Sequence, residues 1–325
     1  VCRDGLEAYE KIKSTKYDGV VLDVNMPRMD GLQLLEKLQK ERIKANVVMV
    51  STLTSKDADT TIMALELGAI DFVTKPNNII EAKGQEFKNN LLSVLSAALR
   101  MRKSTPALNS CNSRTLAAAK PAEPIKRLKP TGKNKLVALA CSTGGPKALQ
   151  SVIPYLPKNL NAPIVLVQHM PAGFTKSMAD RLNDISEITV KEAKDGEILQ
   201  KGNVYIAPGG RHMEIKKKTD GTHVIALNDM PPIGGLKPCA NITYDSLTSS
   251  GFDEIVCVVL TGMGADGTNG ILSLGKKKPI YVISQDADSC VVYGMPKSIY
   301  EAGVVDEVVT LTDVAKTITK NVGVK

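Results

Sequence analysis

The chain has 325 residues, beyond the roughly 250–300 at which one hydrophobic core usually divides, so two modules are expected. Its 43% hydrophobic content excludes a disordered chain, and 4% aromatics with no Trp argue against a base-stacking nucleic-acid platform. No apolar run reaches the roughly 18–20 residues of a membrane span, no secretory signal opens the chain, and the six cysteines form no CxxC, so a cytoplasmic protein without membrane insertion is expected; a monomer is also expected.

In chain order, a helix is predicted around Asp4–Ser14, a strand at Gly19–Asp23, a helix near Gly31–Glu41 and a strand at Asn46–Ser51. A helix near Asp57–Leu67, the short strand Asp71–Thr74 and a helix over roughly Glu86–Arg102 follow. Strands alternating with helices at this spacing point to βα units and a parallel sheet. Residues 104–134 hold Pro106, Pro121, Pro124 and Pro130 with no apolar periodicity, which marks a linker between a module at 1–103 and another at 135–325. The net charge of +8 is local: residues 101–135 carry nine basic side chains against Glu123 alone. Such a stretch reads as a solvated connector, with an acidic partner surface as the sharper alternative.

From Lys135 the alternation restarts with buried-strand runs at Leu136–Ala140, Ile164–Val167, Val204–Ala207, Ile255–Leu260 and Ile280–Ile283. Short runs this rich in Val and Ile mark strands covered on both faces, hence a doubly wound, mostly parallel α/β sheet.

In the first module, Asp23 ends a buried strand before Pro27, Ser51 ends the next, and Lys75 follows the one after. Carboxylate, hydroxyl and ammonium thus converge on the carboxyl edge of the sheet, where ligands of open α/β sheets bind. The set suits an acyl-phosphate; a capping Asp and a surface Lys are the plainer alternative. In the second module, Cys141-Ser142-Thr143-Gly144-Gly145-Pro146 joins a strand to a helix. A hydroxyl at such a bend suits a nucleophile, with helix-initial N–H groups facing developing negative charge, although Ser142 or Thr143 also suits a helix cap. Cys141 is a rival nucleophile, but strand alternation sends it into the core. His169 ends a neighbouring strand, and Asp266 lies in the Gly-rich loop Thr261–Gly267, so the two supply a base and its orienting carboxylate. His212 follows another strand-end loop and is expected to line the cleft, whereas His223 lies on an apparent hairpin and reads as structural.

Residues 2–102 resemble the response-regulator receiver family, with Asp23 matching the phosphoacceptor, Ser51 the switch hydroxyl and Lys75 the motif lysine. The family binds Mg²⁺ through an acidic pair after a first strand that this sequence does not contain, so a truncated receiver with an incomplete metal site is expected. Nearly the whole chain resembles the chemotaxis response-regulator protein-glutamate methylesterases. Cys141–Gly145, Gln168–Pro171, Tyr205–Pro208 with Arg211-His212-Met213, Leu260–Gly267 and Ser289–Pro296 carry that resemblance. It implies Ser142, His169 and Asp266 as a cofactor-free triad, the Met263 amide in the oxyanion hole, and Thr143, Gly144, Gly145, Arg211, His212 and Met295 about the substrate cleft. It also implies methyl-accepting chemotaxis receptors as substrates, a histidine kinase as phosphodonor, and glutamine deamidation as a possible second activity. Pro238-Cys239-Ala240-Asn241 departs from the family's usual Pro-Ser-Val-Asp, a change expected to bear on the cleft wall or on substrate contacts. A receptor-binding module without catalysis and a nucleotide-dependent enzyme are the alternatives; the loop lacks both common phosphate-binding glycine patterns.

Overall fold

Alternation of apolar residues along the strands builds two cores at once. The structure, a computed structural model, describes residues 1–76, 85–100, 128–130 and 132–325. Most of the expected linker and the end of the helix predicted to Arg102 lie outside the described residues.

The first module contains α1 (Gly5–Ser14), β1 (Val20–Asp23), α2 (Gly31–Lys40), β2 (Val47–Ser51), α3 (Ser55–Glu66), β3 (Asp71–Thr74) and α4 (Gln85–Arg100). Its strands form a parallel sheet in the order β1-β2-β3. Helix starts follow the sequence: Asp4 caps α1, Asp30 and Gln33 form a capping box at α2, and Thr54 caps α3.

The second module contains β4 (Lys135–Cys141), α5 (Gly145–Gln150), β5 (Ile164–Gln168), α6 (Phe174–Asp184), β6 (Thr189–Glu192) and β7 (Asn203–Ile206). A hairpin of β8 (His212–Lys217) and β9 (His223–Asn228) precedes α7 (Ala240–Ser246), β10 (Glu254–Val259) and α8 (Thr268–Gly275). The chain continues through β11 (Ile280–Gln285), α9 (Met295–Glu301), β12 (Glu307–Val309) and α10 (Val314–Val322). Seven strands form one sheet in the order β12-β11-β10-β4-β5-β7-β6, and every neighbouring pair is parallel. The order runs outward from β4 in both directions, so the switch point, where such sheets bind ligands, lies at β4 and β10.

Val137, Leu139, Cys141, Ile164 and Leu166 face one core with α5, α6 and α10 residues such as Leu149, Phe174 and Ile318. Their alternates Leu136, Ala138, Ala140, Val165 and Val167 face the other core with Tyr244, Ile271 and Ile299. The expected strands are all present. Strands β6 and β12, unmarked by an apolar run, are added at the two edges of the sheet.

The first module docks on the α5–α6 side, and its core is continuous with that of the second. Helix α3 lies against α6, where Glu66 receives both Arg181 Nε at 2.5 Å and Nη2 at 2.9 Å. Phe72 stacks on Phe174 with ring centroids 4.6 Å apart and planes inclined by 12°. Such a pair contributes about 0.5–1.5 kcal/mol beyond its buried area. Phe72→Ala should therefore speed amide hydrogen exchange in the hydrogen-bonded turns of α6 after the first by roughly tenfold. Exchange in β4 and β5 should stay unchanged.

Candidate active site

Parallel pairing aligns the strand ends. Cys141 is opposite Gln168 across β4 and β5, and Ala140 is opposite Val259 across β4 and β10. The residues just beyond these ends, Ser142, His169 and the Thr261–Gly267 loop, consequently meet at one edge. Backbone bonds fasten them there: Ser142 N donates to Thr261 O at 3.0 Å, and His169 N donates to Cys141 O at 3.3 Å. Thr261 Oγ1 donates to Thr143 O at 3.0 Å, tying the loop after β4 to the loop after β10. Gly262 is required here, since a Cβ would stand 2.9 Å from Ser142 Cβ and 2.4 Å from Met295 Sδ.

His169 Nε2 lies 2.8 Å from Asp266 Oδ2, and both side chains are buried. Because an ionised carboxylate only accepts, this bond puts the ring proton on Nε2. The other nitrogen, Nδ1, is buried with no hydrogen-bond partner among the described residues. His169 shares a cleft of about 400 Å³ with Ser142, Thr143, Gln168, Lys237 and Met263. The far wall of that cleft is Asp71 to Thr74 of β3 and Val94 of α4.

Asp266 has a dense seat. Oδ2 also accepts from Ala240 N at 2.6 Å, while Oδ1 accepts from Cys239 Sγ at 3.2 Å, Asn241 N at 3.1 Å and Gly267 N at 2.9 Å. Burial pushes its pKa up, but His169, the Ala240 amide and the Cys239 thiol outweigh burial and bring it down to about 2. Burial and the Asp266 charge push the Cys239 thiol up to about 11, which keeps it a donor. Asn241 Oδ1 accepts from Gly267 N at 3.1 Å and Gly270 N at 2.7 Å, holding the start of α8. The Cys239–Asn241 departure therefore bears on the seat of Asp266, behind the cleft; the expectation of a changed cleft wall is corrected.

Other expected cleft residues are also placed differently. His212 is wholly buried: its Nδ1 accepts from Cys239 N at 3.2 Å, and its Nε2 lies 3.1 Å from Pro231 O. It is therefore not on the cleft itself but braces the two ends of the 231–239 loop, whose Gly235, Leu236 and Lys237 line the cleft. Met295 is fully buried behind Gly262, and Arg211 pairs with Asp229 at 3.0 Å; neither lines the cleft. Gly144 and Gly145 are buried beneath Thr143, which does line it. Met263 is on the cleft, and its Sδ accepts from Ser93 Oγ of α4 at 3.0 Å. Cys141 is buried and donates to Gln168 Oε1 at 3.0 Å, and burial drives its pKa far up, which disfavours it as a thiolate nucleophile.

Two participants went unmarked in the sequence. Gln168 is a buried amide between the Ser142 and His169 loops; it opens one of the stretches that carry the family resemblance, and its position at a strand end is the other signal that points to it. Asp71 of β3 is fully buried at the junction of the modules; Phe72 N donates to its Oδ1 at 2.8 Å and Gly144 N to its Oδ2 at 3.1 Å. Burial outweighs these two amides and pushes the carboxyl up to about 7.

On the first module, Lys75 Nζ is 2.6 Å from Asp23 Oδ2 at a partly exposed edge. Ser51 is buried and accepts from Thr61 Oγ1 at 2.8 Å. Among the described residues, no group of three or more His, Cys, Asp or Glu could hold a metal ion. No described helix is long and apolar enough to cross a membrane.

A strand-end hydroxyl, an imidazole bound to a buried carboxylate and a glycine-rich loop, gathered on one doubly wound sheet, are the features of the serine-hydrolase class. Residues 137–318 match the CheB methylesterase family model, and residues 1–83 match the response regulator receiver domain. The chain belongs to the CheB methylesterase family and carries a receiver domain. It is 42% identical over 98% of its length to a protein-glutamate methylesterase/protein-glutamine glutaminase of Bacillus subtilis, covering 88% of that protein. A Pyrococcus horikoshii protein of the same name is 41% identical over 98% of this chain and 85% of its own. The crystal structure of the Thermotoga maritima CheB methylesterase catalytic domain covers 58% of this chain and 99% of its own, at 43% identity and a TM-score of 0.55.

The thiol of Cys239 donates to a charged acceptor, a bond of about 1.5–3 kcal/mol. Asp266, with its lowered pKa, contributes stability that is present above the ordinary carboxylate range and lost as pH falls through about 2. Cys239→Ala should therefore be about 1–3 kcal/mol less stable than Cys239→Ser at pH 7 by urea unfolding. The gap should shrink as pH falls from 4 towards 2.

Proposed function

We propose that the chain is a receiver-regulated serine esterase that hydrolyses glutamate γ-methyl esters on chemotaxis receptors and deamidates receptor glutamines by the same route. The observation that carries the reading is the 2.8 Å bond of His169 to Asp266 in a cleft shared with Ser142. The names of the relatives supply the substrate class.

Asp266 holds the proton of His169 on Nε2, which leaves Nδ1 as the base. As Ser142 Oγ attacks the γ-carbonyl carbon, Nδ1 takes its proton and the carbonyl oxygen becomes an oxyanion, stabilised by the Met263 amide. The tetrahedral species collapses, the imidazolium protonates the departing methoxide, and methanol leaves with Ser142 acylated. Nδ1 then deprotonates a water that attacks the acyl carbon, and the glutamate carboxylate departs as Ser142 regains its proton. With an amide substrate, ammonia takes the place of methanol. Ser142→Ala should cut methanol release from methylated receptor by roughly four orders of magnitude or more. Wild-type release would overturn the assignment.

The receiver restrains this site by standing in it. Asp71–Thr74 wall the cleft beside Ser142, and Ser93 reaches Met263. A kinase-derived phosphoryl group on Asp23 would disturb the Asp23–Lys75 pair, with Ser51 as the responding hydroxyl. The described residues do not fit the Mg²⁺ that the receiver family uses, since Asp23 and the Asn25 carbonyl supply too few of its oxygen ligands.

Docking also depends on the proton on Asp71. Its pKa is raised in the docked state, so its contribution to docking is complete below the ordinary carboxylate range and lost as pH rises through about 7. Lys237 and His169 are the other ionisable groups lining the same cleft. Asp71→Asn removes the charge and keeps the acceptor for Gly144 N, giving up the one for the adjacent Phe72 N. The ratio of its methanol release to that of the wild type should fall several-fold between pH 5.5 and pH 7.5.

A further inference from the structure

We infer that Gln168 is a positioning residue that couples the nucleophile to its base, an inference that rests on the esterase reading above. Gln168 is the last residue of β5, opposite Cys141, and its side chain is 2% exposed. Its amide nitrogen has two protons, and both go to catalytic residues: Nε2 donates to Ser142 O at 3.1 Å and to His169 O at 3.1 Å. Its Oε1 accepts the Cys141 thiol at 3.0 Å, which fixes which end of the amide faces the two carbonyls. Every strong hydrogen-bonding direction of the NH₂ group is thereby committed.

The surroundings are shaped to this amide. A Cβ on Gly145 would lie 1.9 Å from Gln168 Oε1, so the glycine leaves the space the amide occupies. Gly145 N also donates to Ser142 O at 2.7 Å, so the carbonyl of the nucleophile is pinned by two donors. Any buried polar side chain needs partners, and that alone would make Gln168 structural. What sets it apart is the choice of partners. One planar NH₂ group bridges the backbones of Ser142 and His169, the two residues between which the proton must pass. Losing it would free the Ser142–Gly144 turn and His169 to move relative to each other. Misplacement of a reacting group by about 1 Å can cost on the order of 100-fold in rate.

The test uses the full chain and two variants. Gln168→Met keeps the length and apolar stem without the donors. Gly145→Ala leaves Gln168 in place but displaces its Oε1. Steady-state methanol release is measured on methylated receptor, together with the rate at which a small fluorophosphonate labels Ser142, with a thermal melt as the folding control. Labelling reads the alignment of nucleophile and base without receptor docking. Both variants should lose ten- to hundredfold in kcat, with KM within twofold, and labelling should slow by the same factor. A folded Gln168→Met or Gly145→Ala protein with kcat and labelling within twofold of wild type would overturn the inference. So would a rise in KM at constant kcat. Ser142→Ala run alongside separates the two readings: if it still releases methanol, the esterase assignment itself fails. If it is inactive while the Gln168→Met protein is normal, only the role of Gln168 falls.

Discussion

Parallel hydrogen bonding of β4 between β5 and β10 is the constraint on which the site rests. Parallel strands run in one direction, so their carboxyl ends lie side by side, and the register decides which residues meet there. With Cys141 opposite Gln168 and Ala140 opposite Val259, a serine, a histidine and an aspartate from distant parts of the chain share one edge. A slip of one residue would exchange the core and surface faces of a strand, and both faces of β4 are apolar and buried in separate cores. The register is therefore held by the packing of the whole domain and not by the loops it presents.

Above that frame, the site is made of buried polar groups whose hydrogen-bonding capacity is spent on one another. Asp266 accepts from four neighbours besides His169 and so stays ionised in a place where burial alone would neutralise it. Asp71 is the opposite case. It too is buried, but two amides are not enough to hold its charge, and its pKa rises to about 7. The two carboxylates differ in the number and charge of their donors, and this difference keeps Asp266 ionised beside His169 while Asp71 is readily protonated beside Gly144.

Much of this was legible in the sequence. Runs of Val and Ile announce the central strands because both faces of each must be covered, and the strand-end positions of Ser142, His169 and Asp266 follow from those runs. Edge strands were not legible: three of the four residues of Thr189–Glu192 are polar, and Glu307–Val309 is only three residues long. The depth of side chains beyond a strand end was not legible either. His212 follows a strand-end loop much as His169 does, yet it turns into the core, and Met295, placed at the cleft by resemblance alone, is buried behind Gly262. The partnership of Asp71 with Gly144 joins residues 73 positions apart across two modules, and no local pattern encodes it. The Pro238–Asn241 departure could be seen in the sequence, but only the fold shows that it touches Asp266.

The docked face joins two kinds of contact with opposite responses to dissolved salt. The Arg181–Glu66 pair is partly open to solvent and is screened as ionic strength rises. The Phe72–Phe174 stack is apolar and is strengthened by strongly hydrated anions such as sulfate. The contact between receiver and catalytic domain thus responds to the kind of ion present as well as to its concentration: chloride only screens the ion pair, whereas sulfate screens the pair and strengthens the stack.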